Sequence, residues 1–353
     1  MYREGYIDAI TAWNAKQDKP HFARQRFDIT APHFVFYVRE LLESKYGEDL
    51  VYRGGLSVYT TLDLDLQRLA EQAAREQIEK IRKSNNANNA AVVALQPDTG
   101  EIMAMVGSVD YFDNSIDGQV NMTTSERQPG SAFKPFAYVT AFGAGDLRDA
   151  DGKPKPPLTQ ATMAMDVRTS FDDRPNPPYI PENVDGKWRG PLRLRTALAL
   201  SENIPAIKVT QYAGVKNTLA TAHRMGITTL TNAERYGLSL TLGGGEVKLL
   251  DMTFAYAVFA NGGFLAGTPR PAEEIKPGYR QLDPVSILKI VDANGNVVEE
   301  YGGPERREVV KPPLAYLISS ILSDNQARFE VIGDALSLPS RRPAVAKTGT
   351  TTD

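Results

Sequence analysis

A hydroxyl and an amine stand three residues apart in "PGSAFKPF", where Ser131 is followed by Lys134 and then by Pro135. Proline lacks an N–H and clashes with the preceding turn, so Pro135 puts a helix start close to Ser131. At such a start the serine has free backbone N–H groups and the positive end of the helix dipole beside it. Lys134, at i+3, lies on the same face. A serine next to an amine that can take its proton is an activated nucleophile. Taken alone, the pair reads more readily as a plain helix cap.

Two further polar groupings decide between these readings. The S-x-x-K pattern recurs at Ser286 and Lys289, but in the first strand of a hairpin, where i and i+3 point to opposite faces. Three S-x-N tripeptides start at Ser84, Ser201 and Ser323. The first reads as a turn in a polar loop. The third spells S-D-N but falls at a helix end, where it reads as a cap, with little chain left before Lys347. Ser201 and Asn203 lie between helical runs broken by Pro205, where polar side chains project inward, and they are the favoured pair. Lys347-Thr348-Gly349-Thr350 occurs once. Strand alternation puts Thr348 and Thr350 on one face, with Lys347 and Gly349 on the other. Gly349 weakens a strand unless a ligand or another backbone must approach closely. The threonines can hydrogen-bond a carboxylate and Lys347 can attract it. An edge strand with a solvated lysine is the plain alternative.

The elements that must position these groups follow from periodicity and punctuation. Residues 33–47 read as a helix stopped by Gly47. Residues 54–63 read as a strand leading into a helix that reaches about Lys83, with Leu62, Leu66, Leu69 and Ala73 as its apolar stripe. "AAVVALQPDTGEIMAMVGS" is a hairpin on a Pro-Asp-Thr-Gly turn, and its continuous apolar runs predict strands buried on both faces. A helix runs from Ser131 through Phe142. The Pro/Asp-rich stretch 146–190 reads as a surface excursion lining a groove. Helices follow at 192–214, 217–226 and 246–263, so 131–263 is mainly helical. Residues 284–301 form a hairpin on Asn294-Gly295, 312–327 a helix, and the end of the chain a short strand. No internal repeat is evident.

Bulk properties narrow the function. The chain has 353 residues, 42% hydrophobic and 24% charged, as in a folded globular protein. A net charge of −3 gives no reason to expect a nucleic-acid partner. There are no cysteines, which excludes disulfides and thiolate metal sites. His21, His33 and His223 are scattered, so surface or packing roles are expected and no metal site. No apolar run is long enough to span a membrane. The N-terminus has no secretory h-region and reads as the end of a helical element followed by a polar linker containing Pro20 and Pro32, which makes Met1 an internal start.

S-x-x-K, S-x-N and K-T-G in this order make up the set used by penicillin-binding proteins and class A β-lactamases. With blocks such as "GLSVYTTLDLDLQ", "RQPGSAFKPFAYVTAF", "GPLRLRTALALSENIPAIKV" and "LTLGGGEVKLLDMTFAYAVFANGG", the chain resembles the transpeptidase domain of class A (bifunctional) penicillin-binding proteins, truncated at both ends. The resemblance runs from about residue 50 to the end. It implies an α/β (α+β) serine penicillin-binding-protein/β-lactamase-like fold: a central antiparallel sheet covered by helices, a mainly helical subdomain, and missing C-terminal strands. Residues 1–50 would be the tail of a preceding glycosyltransferase domain with its linker, and 51–353 the transpeptidase domain.

The implied reaction is D,D-transpeptidation of peptidoglycan stem peptides through an acyl-enzyme on Ser131, with no cofactor and with β-lactams as covalent inhibitors. Lys134 would be the base, made neutral by burial and by Lys347. Ser201 would carry the proton to the leaving group, and Asn203 would hold the acyl donor's amide. Lys347, Thr348 and Thr350 would fix the terminal carboxylate, with Gly349 between them, and the N–H groups of Ser131 and Thr350 would form the oxyanion hole. The site would face the outside of the bacterial cytoplasmic membrane, with the parent's N-terminal anchor absent from this chain. Alternatives are a D,D-carboxypeptidase or β-lactamase, for which Glu246 is the nearest candidate deacylation carboxylate although its position at a helix start suits a cap, or a catalytically inert truncated fragment.

Overall fold

The computed structural model describes residues 1–17, 29–149, 151–172, 178–333 and 344–351. Pro20 and His21 lie outside them. Helix α1 (Ala9–Gln17) buries no residue. α2 (Pro32–Tyr46) begins on proline and ends at Gly47, whose N–H reaches back to the Glu43 carbonyl. α3 (Glu48–Arg53) leads to β1 (Ser57–Thr60). α4 (Leu64–Asn85) starts where the Asp63 carboxylate accepts the N–H groups of Asp65 and Leu66. Ser84 lies in its last turn rather than in a loop.

The hairpin appears as β2 (Val92–Leu95) and β3 (Ile102–Val106), with Val92 opposite Val106. β3 is buried on both faces. Ile102 and Met105 join one core cluster with Phe34 and Val38 of α2, while Ala104 and Val106 join another with Ala70 and Ile78 of α4. α2 thus packs on the hairpin although it lies before residue 50. The stripe expected on α4 is displaced: the buried positions are Gln67, Ala70, Ala74 and Ile78, and Leu69 is 60% exposed. Gln67 turns the helix inward because its amide bonds both main-chain groups of Met105, accepting from N at 2.8 Å and donating to O at 3.2 Å.

After β4 (Glu126–Arg127), a 3₁₀ turn, Gly130–Phe133, passes directly into α5 (Lys134–Phe142), whose side chains are buried throughout. The excursion contributes β5 (Met163–Asp166) and β6 (Gly190–Arg193), paired antiparallel. α6 (Leu194–Ala199), α7 (Asn203–Ala213) and α8 (Val215–Met225) follow, then β7 (Val247–Lys248) and α9 (Leu249–Ala260). Pro205 does not break the 192–214 run. It sits in the first turn of α7, where its missing N–H costs nothing, and the break falls at Leu200–Glu202. The expected 246–263 helix begins only at Leu249, because Val247–Lys248 pairs with β4.

The last strands are β8 (Phe264–Pro269), β9 (Leu282–Asp283), β10 (Ile287–Val291), β11 (Val297–Glu300) and β12 (Glu305–Glu308). They form antiparallel sheets in the orders β1-β10-β11 and β12-β8-β9. The β10–β11 connection is the expected Asn294-Gly295 turn, with Gly295 at φ +85°. α10 (Pro312–Leu322) and α11 (Asn325–Ile332) replace the single helix expected over 312–327, since Asp324 caps α11 by accepting the Ala327 N–H. Residues 344–351 form no strand: among the described residues nothing pairs with them in a ladder, and a strand exists only when paired. The main core packs α5, α7, α8, α9 and α10 around Phe133, Phe136, Phe254 and Ile318. This α/β class, helices with antiparallel sheets and a mainly helical region over 131–263, is the class expected.

Candidate active site

Ser131 is half-buried in the 3₁₀ turn, one turn before Lys134 and not within the α-helix itself. The Tyr256 hydroxyl donates to the Ala132 carbonyl at 2.6 Å and ties this turn to α9. Lys134 opens α5 and is fully buried. Its Nζ donates to the Ser201 carbonyl, to Ser201 Oγ at 3.3 Å and to Asn203 Oδ1 at 2.7 Å. Among the described residues no hydrogen bond joins Lys134 to Ser131 Oγ. Lys347, half-buried, donates to Ser201 Oγ at 2.7 Å and to the Thr348 carbonyl at 2.7 Å.

One hydroxyl therefore stands between two amines. Burial pushes the Lys134 ammonium well below its ordinary range, and the Lys347 charge adds to the push. Burial likewise brings Lys347 down to about 7. In both lysines the folded value lies below the unfolded one, so the unfolded chain binds more protons between about 7 and the ordinary 10.5. Stability therefore rises with pH across that window, and it falls as pH drops toward 7. Denaturant midpoints measured from pH 7 to about 10 should climb, and less steeply in Lys347→Met.

Ser201 adopts φ +65°, a left-handed conformation uncommon for serine. The excursion holds this turn in place. Asn203 N donates to Asn183 Oδ1 at 2.8 Å, and Asn203 Nδ2 to the Glu182 carbonyl at 2.6 Å. Asn183 in turn donates to both oxygens of the buried Asp166, at 2.8 and 2.9 Å. Asp166, Glu182 and Asn183 of the excursion thus fix the start of α7. The second N–H of the Asn203 amide has no partner among the described residues.

Glycines bring the remote segments together. A Cβ on Gly130 (φ +58°) would stand 2.4 Å from the Thr350 carbonyl oxygen and 2.8 Å from Thr350 N. One on Gly349 would meet the Pro129 carbonyl at 2.4 Å, and one on Gly243 (φ +89°) would meet Gly130 N at 2.2 Å. The K-T-G segment therefore lies against the serine turn, with Thr348, Gly349 and Thr350 exposed. Close backbone approach, expected of Gly349, is what it provides.

These motifs occupy a domain of recognisable kind. Residues 90–352 match the family model for the penicillin binding protein transpeptidase domain. The chain belongs to that family. Its curated relatives include penicillin-binding protein 2D of Bacillus subtilis, 29% identical over 91% of this chain and 42% of the relative. Penicillin-binding protein 1C of Escherichia coli is 31% identical over 83% and 32%. The chain thus spans less than half the length of either. Among solved structures, penicillin-binding protein 1A of Haemophilus influenzae superposes with TM-score 0.68 at 22% identity, over 92% of this chain and 62% of that one. PonA1 of Mycobacterium tuberculosis in complex with penicillin V gives TM-score 0.70 at 23% identity, over 92% and 78%. The fold is that of penicillin-binding transpeptidase domains.

The competing motifs in this transpeptidase-family domain fall elsewhere. Lys289 pairs with Glu300 across the β10–β11 hairpin, and Ser323 caps α10. Glu246 is exposed and precedes β7, so it is not the helix-start cap expected. His33 bonds the Gly118 carbonyl at 2.9 Å and His223 the Thr229 carbonyl at 3.0 Å, both in packing roles. No described helix is long and apolar enough to cross a membrane. Sequence reasoning missed Glu202, Arg189, Asp166 and Asn183. Their only local signal is the position of Glu202 inside S-x-N.

Proposed function

We propose that this domain is a serine D,D-transpeptidase that cross-links peptidoglycan stem peptides through an acyl-enzyme on Ser131. The observation that carries the reading is the buried Lys134, bonded to Ser201 and Asn203, one turn after Ser131 and close to Lys347. A lysine made neutral by burial is a base of suitable strength near neutral pH. It takes the Ser131 proton as Oγ attacks the carbonyl between two terminal D-alanines. The N–H groups of Ser131 and Thr350 stabilise the oxyanion. Ser201, placed between both lysines, returns a proton to the departing D-alanine. The remaining Asn203 N–H holds the donor amide, and Lys347, Thr348 and Thr350 bind the terminal carboxylate. An amine of a neighbouring stem peptide then attacks the ester, freeing Ser131 and leaving the cross-link.

In this reading residues 1–50 form the tail of a preceding glycosyltransferase domain and its linker, with α2 docked on the transpeptidase domain of 51–353. The site works on the outer face of the bacterial cytoplasmic membrane, in a membrane-anchored parent. β-Lactams acylate the same serine. Intact mass after incubation with benzylpenicillin should show one adduct, mapping to the peptide that carries Ser131. An adduct on another residue, or none, overturns the assignment. Many turnovers of a chromogenic cephalosporin would instead mark a hydrolase.

A further inference from the structure

Behind Lys134 lies an ion pair that none of the chemistry above uses. Glu202 sits between the two residues that hold the lysine, Ser201 and Asn203, and its side chain is 3% exposed. Arg189, brought in at the end of the excursion, bonds it Nη1 to Oε1 at 2.8 Å. Arg189 is itself anchored at several points. Its Nη2 reaches Asp185 Oδ2 at 2.7 Å and Glu330 Oε1 at 3.3 Å, and its backbone N donates to Asp166 Oδ2 at 2.9 Å.

We propose that the Arg189–Glu202 ion pair is a charge-balancing device that sets the pH at which Lys134 becomes a neutral base. This inference rests on the transpeptidase reading for its purpose, though not for its measurement. Two charged groups bear on Lys134: Lys347 drives its proton off, and Glu202 holds it on. Facing Glu202 are Arg189, Asp166, Asp185 and Lys134 itself, together with the buried Tyr138 hydroxyl, which has no hydrogen-bond partner among the described residues. A buried carboxylate alone beside Lys134 would favour the ammonium and silence the base. Burial pushes the Glu202 carboxyl up to about 7, and Arg189 is the foremost influence pulling it back toward the charged form. Both residues act through Lys134 and are positioning residues.

If Glu202, held charged by Arg189, offsets Lys347, then removing the carboxylate leaves Lys347 unopposed, and removing Arg189 with it adds little. Glu202→Gln takes away the charge that holds the Lys134 proton on, so the Lys134 titration midpoint should fall by about one pH unit. The doubly substituted Arg189→Gln/Glu202→Gln should show a similar fall. Replacing a buried ion pair by neutral groups of similar shape is often tolerated, which keeps the comparison sound even if the single variant folds poorly. The midpoint is read by NMR on protein with ¹³Cε-labelled lysine, the Lys134 signal being assigned by its loss in Lys134→Ala. The acid limb of the penicillin acylation rate supplies a second readout, expected to shift with the midpoint. A Lys134 midpoint that is the same in all three proteins, with only thermal stability changing, overturns the inference and leaves the pair a structural tie. A parent chain that takes no penicillin contradicts the transpeptidase reading instead, and the NMR comparison still decides the role of the pair.

Discussion

Lys134→Ala slows acylation of Ser131 by benzylpenicillin about 10³-fold, the middle of the range for loss of a positioned general base. The size follows from where the lysine sits. It is fully buried, and both burial and Lys347 favour its neutral form. Among the described residues no histidine or carboxylate bonds Ser201 or Asn203 in its place. Lys134→Arg should fail almost as badly, because a guanidinium does not give up its proton. Alanine leaves the Ser201 carbonyl and Asn203 Oδ1 without their donor, at about 1–3 kcal/mol for each buried acceptor. Removal of a desolvated amine offsets part of that cost. The melt should therefore stay cooperative while the rate collapses. Stopped-flow acylation within tenfold of the parent rate would remove Lys134 from the chemistry.

The second large effect is expected at a residue that carries no reactive group. Gly243→Ala puts a methyl 2.2 Å from Gly130 N and 2.4 Å from its Cα, at a position already in the left-handed region. The backbone strain is about 1–2 kcal/mol, and overpacking adds about 1–3 kcal/mol. The site cannot relax cheaply, because the obstacle is the main chain of the serine turn itself. On its far side that turn meets Thr350 and Pro129 meets Gly349, so the push displaces both the serine turn and the K-T-G segment. We expect a loss of about 2–4 kcal/mol in urea-unfolding stability and more than a tenfold loss in acylation rate. Gly262→Ala is the control: it has a similar positive φ and nothing within 4 Å of the added methyl, so it should lose only the strain energy and none of the rate. Equal rates in the two variants would show that the glycine stack does not shape the site.

Much of the fold was legible because its causes are local. The hairpin of β2 and β3 announces itself through a turn sequence between two apolar runs. The start of α5 is written in Pro135, and the end of α2 in Gly47. What failed depended on partners distant in sequence. Gln67 looks like a surface residue until Met105 is placed beside it, and so the α4 stripe slipped by one position. The K-T-G segment has the composition of a strand, but pairing cannot be inferred from one strand alone. The position of the break near Ser201 was missed because Pro205 tolerates a first helical turn as readily as it ends a helix. In the candidate site, Ser131, Lys134, Ser201 and Lys347 could be proposed from residue type and spacing, and Lys134, Ser201 and Lys347 do meet. Glu202, Arg189, Asp166 and Asn183 could not, since a buried ion pair and an asparagine bridge leave no periodic trace. Gly243 was visible only as one glycine among three in "GGGE".

The meeting of Gly130, Gly243 and Gly349 also bears on when Ser131 becomes competent as the proposed nucleophile. Each glycine marks a place where main chains from distant thirds of the domain touch, and contacts so far apart in sequence form late because long loops must close before the contacts reward them. A chain emerging from the ribosome can build the β2–β3 hairpin and α4 early, but Ser131 gains its neighbours only when the segment around Lys347 has been made and has docked. Until then the serine lacks Lys347 and Thr350, and Lys134 lacks the neighbouring charge that helps to drive off its proton. On the proposed reading, reactivity is in this way reserved for the finished molecule: a half-made domain carries the same serine but is poorly acylated by the donors it meets.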